Sequence, residues 1–152
     1  MILFLDFDGV LHPNLIHAPE FTRLPLLWEI LRACPHVDVV FSTSWREIYS
    51  PADLLQYMIN GGGEQFIDRF IGFNPSDLRE AGAFYTGTYF RRERECQLWL
   101  AGNGQQHRFW LAVDDVADSF SPSCANLYLT DKNTGLTDVD VAKIIEGFKC
   151  TN

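Results

Sequence analysis

The sequence has too little positive charge and too few cysteines for several common kinds of protein. Its 152 residues carry 12 lysines and arginines against 20 aspartates and glutamates, a formal net charge of −8. A balance this acidic argues against a broad nucleic-acid-binding surface, so a polyanionic substrate would have to meet a local basic group. The four cysteines show no C-x-x-C spacing and no zinc-like pairing with the four histidines. We therefore expect free thiols in a reducing cytoplasm.

Long apolar runs, repeats and linkers are also missing. Only five apolar residues precede the first aspartate, too few for a signal peptide. No stretch approaches the ~18 apolar residues of a membrane helix, so we expect a cytoplasmic protein without a membrane partner. A hydrophobic content of 47% indicates a globular chain. Its length fits one domain, residues 1–152.

Apolar runs typical of strands alternate with segments of helical periodicity. The pattern predicts buried strands at residues 1–4, 37–41, 109–113 and 126–130. It predicts helices at residues 25–32, 51–58, 93–101 and 138–148. Residues 66–73 fit either a short strand or an irregular apolar segment. Alternating strands and helices favour parallel pairing with right-handed crossovers, which predicts a three-layer α/β sandwich.

Two carboxylates follow the first predicted strand. Asp6 and Asp8 are two residues apart, so an extended backbone projects both to the same side, and Gly9 permits a tight turn. Carboxylates that face one small volume imply a metal ion, a shared proton or a cationic ligand. Taken alone, the segment also fits an Asp-Gly turn without any chemistry.

A second acidic pair ends another apolar run. Residues 109–113 lead directly into Asp114 and Asp115. Two buried strands that both stop at aspartates can place several carboxylates around one divalent cation, and oxygen-only ligation favours Mg²⁺ over zinc. The expected ligands of this Mg²⁺ site are Asp6, Asp8 and the pair Asp114 and Asp115, of which either one can be the direct ligand.

A turn rich in hydroxyl groups follows the predicted strand at residues 37–41. Ser42 and Thr43 begin the turn, and Arg46 ends it. Hydroxyls and backbone amides at a strand end suit phosphate oxygens, and Arg46 can bind the same anion in a bidentate manner. A Ser/Thr N-cap before a helix is a compatible alternative. Trp45 is either a core aromatic or a platform on which a base stacks.

In order and spacing, these segments resemble the haloacid dehalogenase-like (HAD-like) superfamily of aspartate-nucleophile phosphatases. The first motif is similar to residues 6–10, the second to Ser42, and the fourth to Asp114-Asp115. The third motif of the superfamily is a basic residue, usually lysine, near the start of a helix. The candidates here are Arg91, Arg92 and Arg94, and Arg92 fits best.

A narrower resemblance points to the HAD domain of Swiss-army-knife RNA-repair proteins. It is carried by the opening Leu-Asp-Phe-Asp-Gly-Val-Leu-His-Pro, by Ser-Thr-Ser-Trp-Arg at residues 42–46, and by Gly-Leu-Thr at residues 135–137. The resemblance implies a mainly parallel, Rossmann-like sheet without a large cap domain. It also implies a Mg²⁺-dependent phosphomonoester hydrolase with an open active site.

The resemblance assigns roles to individual residues. Asp6 would be the nucleophile that forms an aspartyl-phosphate, and Asp8 the general acid and base. Ser42 and Arg92 would bind the transferred phosphoryl group, next to Thr43 and Arg46 as further substrate-binding residues of the turn.

The candidate substrate is the end phosphate of an RNA or DNA chain, and the alternative is a small phosphorylated metabolite or nucleotide. A second alternative is a non-enzymatic receiver-like module that is phosphorylated on aspartate. Such modules carry their acidic pair at the first strand and the phosphoacceptor at the third. They need no aspartate two residues beyond the phosphorylated one, as Asp8 is here.

Overall fold

Five parallel strands and four α-helices make up the described part of the chain. The structure is a computed structural model that describes residues 1–75 and 89–149. The strands are β1 (Ile2–Leu5), β2 (Asp38–Phe41), β3 (Phe70–Phe73), β4 (Trp110–Asp114) and β5 (Leu127–Leu129). The helices are α1 (Leu24–Ala33), α2 (Pro51–Asn60), α3 (Arg91–Gly102) and α4 (Asp138–Lys149).

The strands form one sheet in the order β3-β2-β1-β4-β5, and every neighbouring pair is parallel. The chain runs outward from β1 through β2 to β3, and then crosses back to place β4 on the other side of β1. The strand order therefore reverses beside β1. In open α/β sheets of this kind, ligands bind outside the carboxyl ends of the strands at such a reversal.

Helices cover both faces of the sheet. Leu3 and Leu5 point to one face, where they belong to a core with residues of α1, α2 and α4. Ile2 and Phe4 point to the other face and pack with residues of α3. The predicted three-layer α/β sandwich is confirmed. Because β1 is buried on both faces, its sequence is an unbroken apolar run rather than an alternating one.

Local signals in the sequence explain how α2 begins and ends. The Ser50 hydroxyl accepts a hydrogen bond from the Asp53 backbone N–H, and the Asp53 carboxylate accepts one from the Ser50 N–H. This reciprocal capping box satisfies two N–H groups at the start of the helix. After Asn60 the three glycines at 61–63 form a turn, in which Gly62 has φ +82°. The glycine run thus ends the helix.

The segment that the sequence left ambiguous, residues 66–73, belongs to two elements. Residues 64–69 form a short 3₁₀-helix and are followed directly by β3. Among the described strands, β3 pairs only with β2 and is half-exposed at the sheet edge, and Gly72 interrupts its short apolar sequence. Helix α3 begins at Arg91, two residues before the predicted start, which places Arg92 in its first turn.

Residues 1–75 and 89–149 contain no cap domain over the sheet. None of the helices within these ranges is long and apolar enough to cross a membrane. Three cysteines are free thiols, as expected: Cys34, Cys96 and Cys124.

Candidate active site

The polar residues that follow the strands meet at one edge of the sheet. The hydrogen-bond ladder continues one residue beyond β1, since Asp6 N–H donates to Val113 O at 3.1 Å and Ser42 N–H donates to Leu5 O at 2.8 Å. Asp6 therefore lies level with Ser42 on one side and with Asp114 on the other. All three residues are at most 5% exposed. The strand ends thus concentrate polar groups in a buried position.

Three carboxylates converge at this edge. Asp6, Asp114 and Asp115 each offer one oxygen, and these oxygens lie within 4.8 Å of one another. Asp114 Oδ1 accepts a hydrogen bond from Val116 N–H at 2.9 Å, whereas its buried Oδ2 has no hydrogen-bond partner among the described residues. A buried oxygen without a donor, surrounded by further carboxylate oxygens, fits a hard divalent cation such as Mg²⁺.

The metal-free cluster is electrostatically costly. Burial raises the pKa of Asp6 to about 7, and repulsion from Asp114 adds to the shift. Burial also raises the pKa of Asp114 and that of Asp115. All three carboxylates therefore favour protonation more strongly than exposed aspartates do, until a positive charge is supplied.

Gly9 leaves the space that the Asp115 carboxylate occupies. The φ angle of Gly9 is +67°, and a Cβ atom at this position would lie 2.3 Å from Asp115 Oδ2. A larger residue would be strained in this backbone conformation and would also displace the carboxylate. The glycine that follows Asp8 is thus needed for the turn and for the acidic cluster.

Arg92 is the candidate arginine that reaches the cluster. Its Nε atom lies 3.5 Å from Asp114 Oδ2, and its Nη1 donates to the backbone carbonyl of Ser42. Burial alone would lower the pKa of Arg92, but the negative charges of Asp6 and Asp114 outweigh burial and raise it. Arg91 instead pairs with Glu47 and Glu95. The geometry therefore supports the choice of Arg92 as the basic residue of the site.

The Asp8 carboxylate lies outside the converging trio and is held by two donors. Oδ1 lies 3.1 Å from His12 Nε2, and Oδ2 accepts a hydrogen bond from Trp45 Nε1 at 2.9 Å. These bonds, above all the one from His12, hold the pKa of Asp8 below its ordinary value. The two motif aspartates therefore have opposite environments, although only Phe7 separates them.

This combination of parallel sheet, acidic trio and arginine agrees with a comparison against known protein families. The family described as "HAD domain in Swiss Army Knife RNA repair proteins" matches residues 2–141. The chain belongs to this family. Membership indicates a hydrolase of the phosphatase type. Neither a curated protein nor a solved structure matches the sequence.

The two hydroxyls expected to bind phosphate in this HAD domain both have protein partners. Ser42 Oγ accepts a hydrogen bond from Asn74 Nδ2 at 2.9 Å. Thr43 Oγ1 accepts one from Trp45 N–H at 3.3 Å and so caps the short 3₁₀-helix Ser44–Glu47. The N-cap alternative is therefore realised at Thr43. The phosphate-binding roles of Ser42 and Thr43 stay predictions.

Arg46 lies inside the protein rather than on an open surface. Its side chain is 3% exposed, and Nη2 lies 2.7 Å from Oε2 of Glu95, which is itself buried. Another nitrogen, Nη1, donates to the Thr43 carbonyl. A buried guanidinium requires such a charged partner. Arg46 also borders a cavity of about 140 Å³ together with Arg91 and Arg92, and its contact with a substrate phosphate stays a prediction.

Three residues of the site were not predicted from the sequence. His12 belongs to the motif-like opening, and its place just after the glycine turn was a usable signal. Asn74 follows β3, the strand whose sequence was ambiguous, and it bonds Ser42. Glu95 lies on α3 and contacts Arg46, 49 residues earlier in the chain, so no local pattern indicates the pair.

We expect Mg²⁺ to stabilise the folded protein more at pH 8 than at pH 5. The ordinary pKa of Asp6 is 3.8, and the folded protein raises it to about 7. Folding takes up a proton between these values, so the metal-free protein loses stability as the pH rises through this window. A cation competes with that proton and binds better once the proton has left.

The measurement is the midpoint of thermal unfolding with and without Mg²⁺ at both pH values. In the Asp6→Asn variant, the shift of the midpoint caused by Mg²⁺ should be nearly the same at pH 5 and at pH 8. An equal Mg²⁺ effect at pH 5 and pH 8 in the wild type would contradict the link between the cation and these carboxylates.

Glu95→Gln should destabilise the protein strongly. The substitution leaves the Arg46 guanidinium buried without a negative partner, which typically costs about 3 kcal/mol or more in the free energy of unfolding. Urea denaturation measures the loss. Glu29→Gln is the control, because Glu29 is exposed on α1 and should change stability by less than ~0.5 kcal/mol. Similar small effects for both variants would show that the buried ion pair contributes little.

Proposed function

We propose that this protein is a Mg²⁺-dependent phosphomonoester hydrolase that forms an aspartyl-phosphate on Asp6. The observation that carries the proposal is the convergence of Asp6, Asp114 and Asp115 beside Arg92, at the reversal of strand order. A carboxylate nucleophile divides a difficult displacement into two easier steps. Because the phosphate dianion and the Asp6 carboxylate repel each other, the reaction also needs positive charge near Asp6. The residues around Asp6 can supply it.

The positive charge has two sources in this proposal. Held by Asp6, Asp114 and Asp115, Mg²⁺ would neutralise charge on the phosphoryl oxygens. Arg92 carries five N–H donors in a planar fork, more than its contacts with Ser42 and Asp114 use. The remaining donors suit the oxygens of the transferred group.

The reaction then proceeds in two steps. An oxygen of Asp6 attacks phosphorus, and the leaving oxygen departs with the proton of Asp8. In the second step Asp8 takes a proton from water, whose oxygen attacks the phosphorus of the aspartyl-phosphate. Asp6 is released as a carboxylate, inorganic phosphate leaves, and Asp8 is again protonated. The lowered pKa of Asp8 favours the base form that the second step uses, so the first step draws on the smaller protonated fraction.

We further propose that the phosphate lies at the end of an RNA or DNA chain. Two observations support this substrate. The description of the matching family names RNA repair proteins. Residues 1–75 and 89–149 place no cap domain over the sheet edge. The net charge of −8 means that contacts with a polynucleotide must be few and local.

A phosphate-release assay with Mg²⁺ separates the candidate substrates. The panel contains oligonucleotides with a 5′- or 3′-phosphate, nucleotides and sugar phosphates, each with its unphosphorylated counterpart as a blank. Preference for an oligonucleotide end supports the proposal. Preference for the small compounds favours the metabolite alternative, and a stable phospho-Asp6 without turnover favours the receiver-like alternative.

Asp6→Asn should abolish turnover and leave the fold intact. The substitution removes the nucleophile and one metal ligand but almost no volume. Steady-state kinetics and circular dichroism are the two measurements. A loss of less than about tenfold, which corresponds to only ~1.4 kcal/mol of transition-state stabilisation, is incompatible with a nucleophilic Asp6.

Asp8→Asn should lose turnover by roughly 10²–10⁴-fold, the usual contribution of general acid–base catalysis, while Mg²⁺ affinity is retained. The Asp8 carboxylate lies outside the converging trio, so its loss should not disturb the cation. Calorimetric titration with Mg²⁺ compares this variant with Asp6→Asn. Equal losses of Mg²⁺ affinity in the two variants would contradict this division of roles.

A further inference from the structure

Both oxygens of the Asp8 carboxylate are engaged by donors from outside the acidic trio. His12 Nε2 lies 3.1 Å from Oδ1, and Trp45 Nε1 lies 2.9 Å from Oδ2. The Asp8 side chain is 36% exposed, whereas that of His12 is 6% exposed. The donors thus approach from the protein interior, and the carboxylate remains accessible from outside.

The backbone identifies which nitrogen of His12 carries the proton. Phe21 N–H points at His12 Nδ1, at a distance of 3.4 Å. A backbone N–H can only donate, so Nδ1 is the acceptor, and in a neutral imidazole the proton then resides on Nε2. The Nε2–H group is therefore the one directed at Asp8.

Aromatic packing fixes the position of both donors. The Trp45 ring makes edge contacts with Phe7 and Phe21, at centroid distances of 5.6 and 5.3 Å. His12 packs against Phe21 at 5.4 Å. The Thr43 cap holds the backbone of Trp45 as well. Rings locked in this way form a rigid support, with little freedom to follow a rotating carboxylate.

We infer that His12 and Trp45 are positioning residues that orient the Asp8 carboxylate for proton transfer to and from the substrate. The inference rests on the proposed function, in which Asp8 is the general acid and base. Each carboxylate oxygen has two lone pairs, and each donor occupies one of them. The other lone pair stays available for the proton that Asp8 exchanges. A small misplacement of such a group slows the reaction strongly.

A positioning role predicts a dependence on the leaving group that a structural role does not. An alkyl phosphate releases a strongly basic alkoxide and needs a proton from Asp8. p-Nitrophenyl phosphate releases a weakly basic phenolate and needs little protonation. Loss of a donor to Asp8 should therefore lower kcat/KM for the alkyl substrate far more than for the aryl one.

The test variant is Trp45→Phe, which keeps an aromatic ring and removes the N–H donor. Its matched control is Trp28→Phe, which loses an indole hydrogen bond to Gly61 O in the same core. With glycerol 2-phosphate and Mg²⁺, we expect kcat/KM of Trp45→Phe to fall about tenfold, and with p-nitrophenyl phosphate less than about threefold. The ratio of the two values should stay at the wild-type level in the control.

His12→Phe removes the other donor and keeps a ring between Phe21 and Trp45. This variant should also lower kcat/KM for glycerol 2-phosphate more than for p-nitrophenyl phosphate. It provides the test of the inference if Trp45→Phe does not fold. Provided that the wild type turns over both substrates, the inference is overturned if a folded variant loses kcat/KM equally on both. It is also overturned if a folded variant loses none. Absence of phosphate release by the wild type from these two substrates and from the phosphorylated oligonucleotides overturns the proposed function itself.

Discussion

The site depends on the burial of like charges where strands β1 and β4 end. Three carboxylates whose oxygens lie within 4.8 Å of one another cannot all ionise cheaply in a buried position. The neighbouring residues reduce this cost only in part. Arg92 contributes one positive charge, and the N–H groups of Phe7 and Val116 donate to Asp6 and Asp114. Within the described residues, Asp114 Oδ2 is left without a hydrogen-bond partner. A divalent cation would supply the missing charge and the missing partner at once, which is why this cluster of carboxylates fits such an ion.

The supporting residues come from elements that are far apart in sequence. Helix α3 contributes Arg92 to the acidic trio and, one turn later, the buried Glu95 that pairs with Arg46. Arg46 in turn donates to the carbonyl of Thr43, in the turn that follows β2. The first and second turns of α3 are thereby tied to the end of β2. These polar contacts hold the first turn of the helix at the sheet edge.

Much of the fold was predictable because its signals are local. β1 and β4 are continuous apolar runs that end in aspartates, and Ser50 with Pro51 marks the start of α2. The half-exposed edge strand β3 is short, is interrupted by Gly72 and is followed by Asn74 rather than by an aspartate, so its sequence remained ambiguous. Arg46 shows the same limit within the site. The sequence places a guanidinium in a turn that is predicted to bind phosphate, but only the tertiary structure brings the buried Glu95 against it. Partners contributed by distant elements decide what a charged side chain contacts.

The contrast between Asp6 and Asp8 links the fold to catalysis. A strand end alone would project both side chains into one volume, yet Asp6 joins two carboxylates and Asp8 joins two N–H donors. Burial and the negative charge of Asp114 raise the pKa of Asp6, whereas the hydrogen bonds from His12 and Trp45 lower that of Asp8. Groups whose environments push their pKa values apart are suited to different roles. In the proposed reaction, Asp6 lies among like charges and therefore gains most from a cation. The same cation would neutralise charge on the transferred phosphoryl group. Asp8, whose donors His12 and Trp45 are fixed, keeps the defined orientation that proton exchange with a substrate requires.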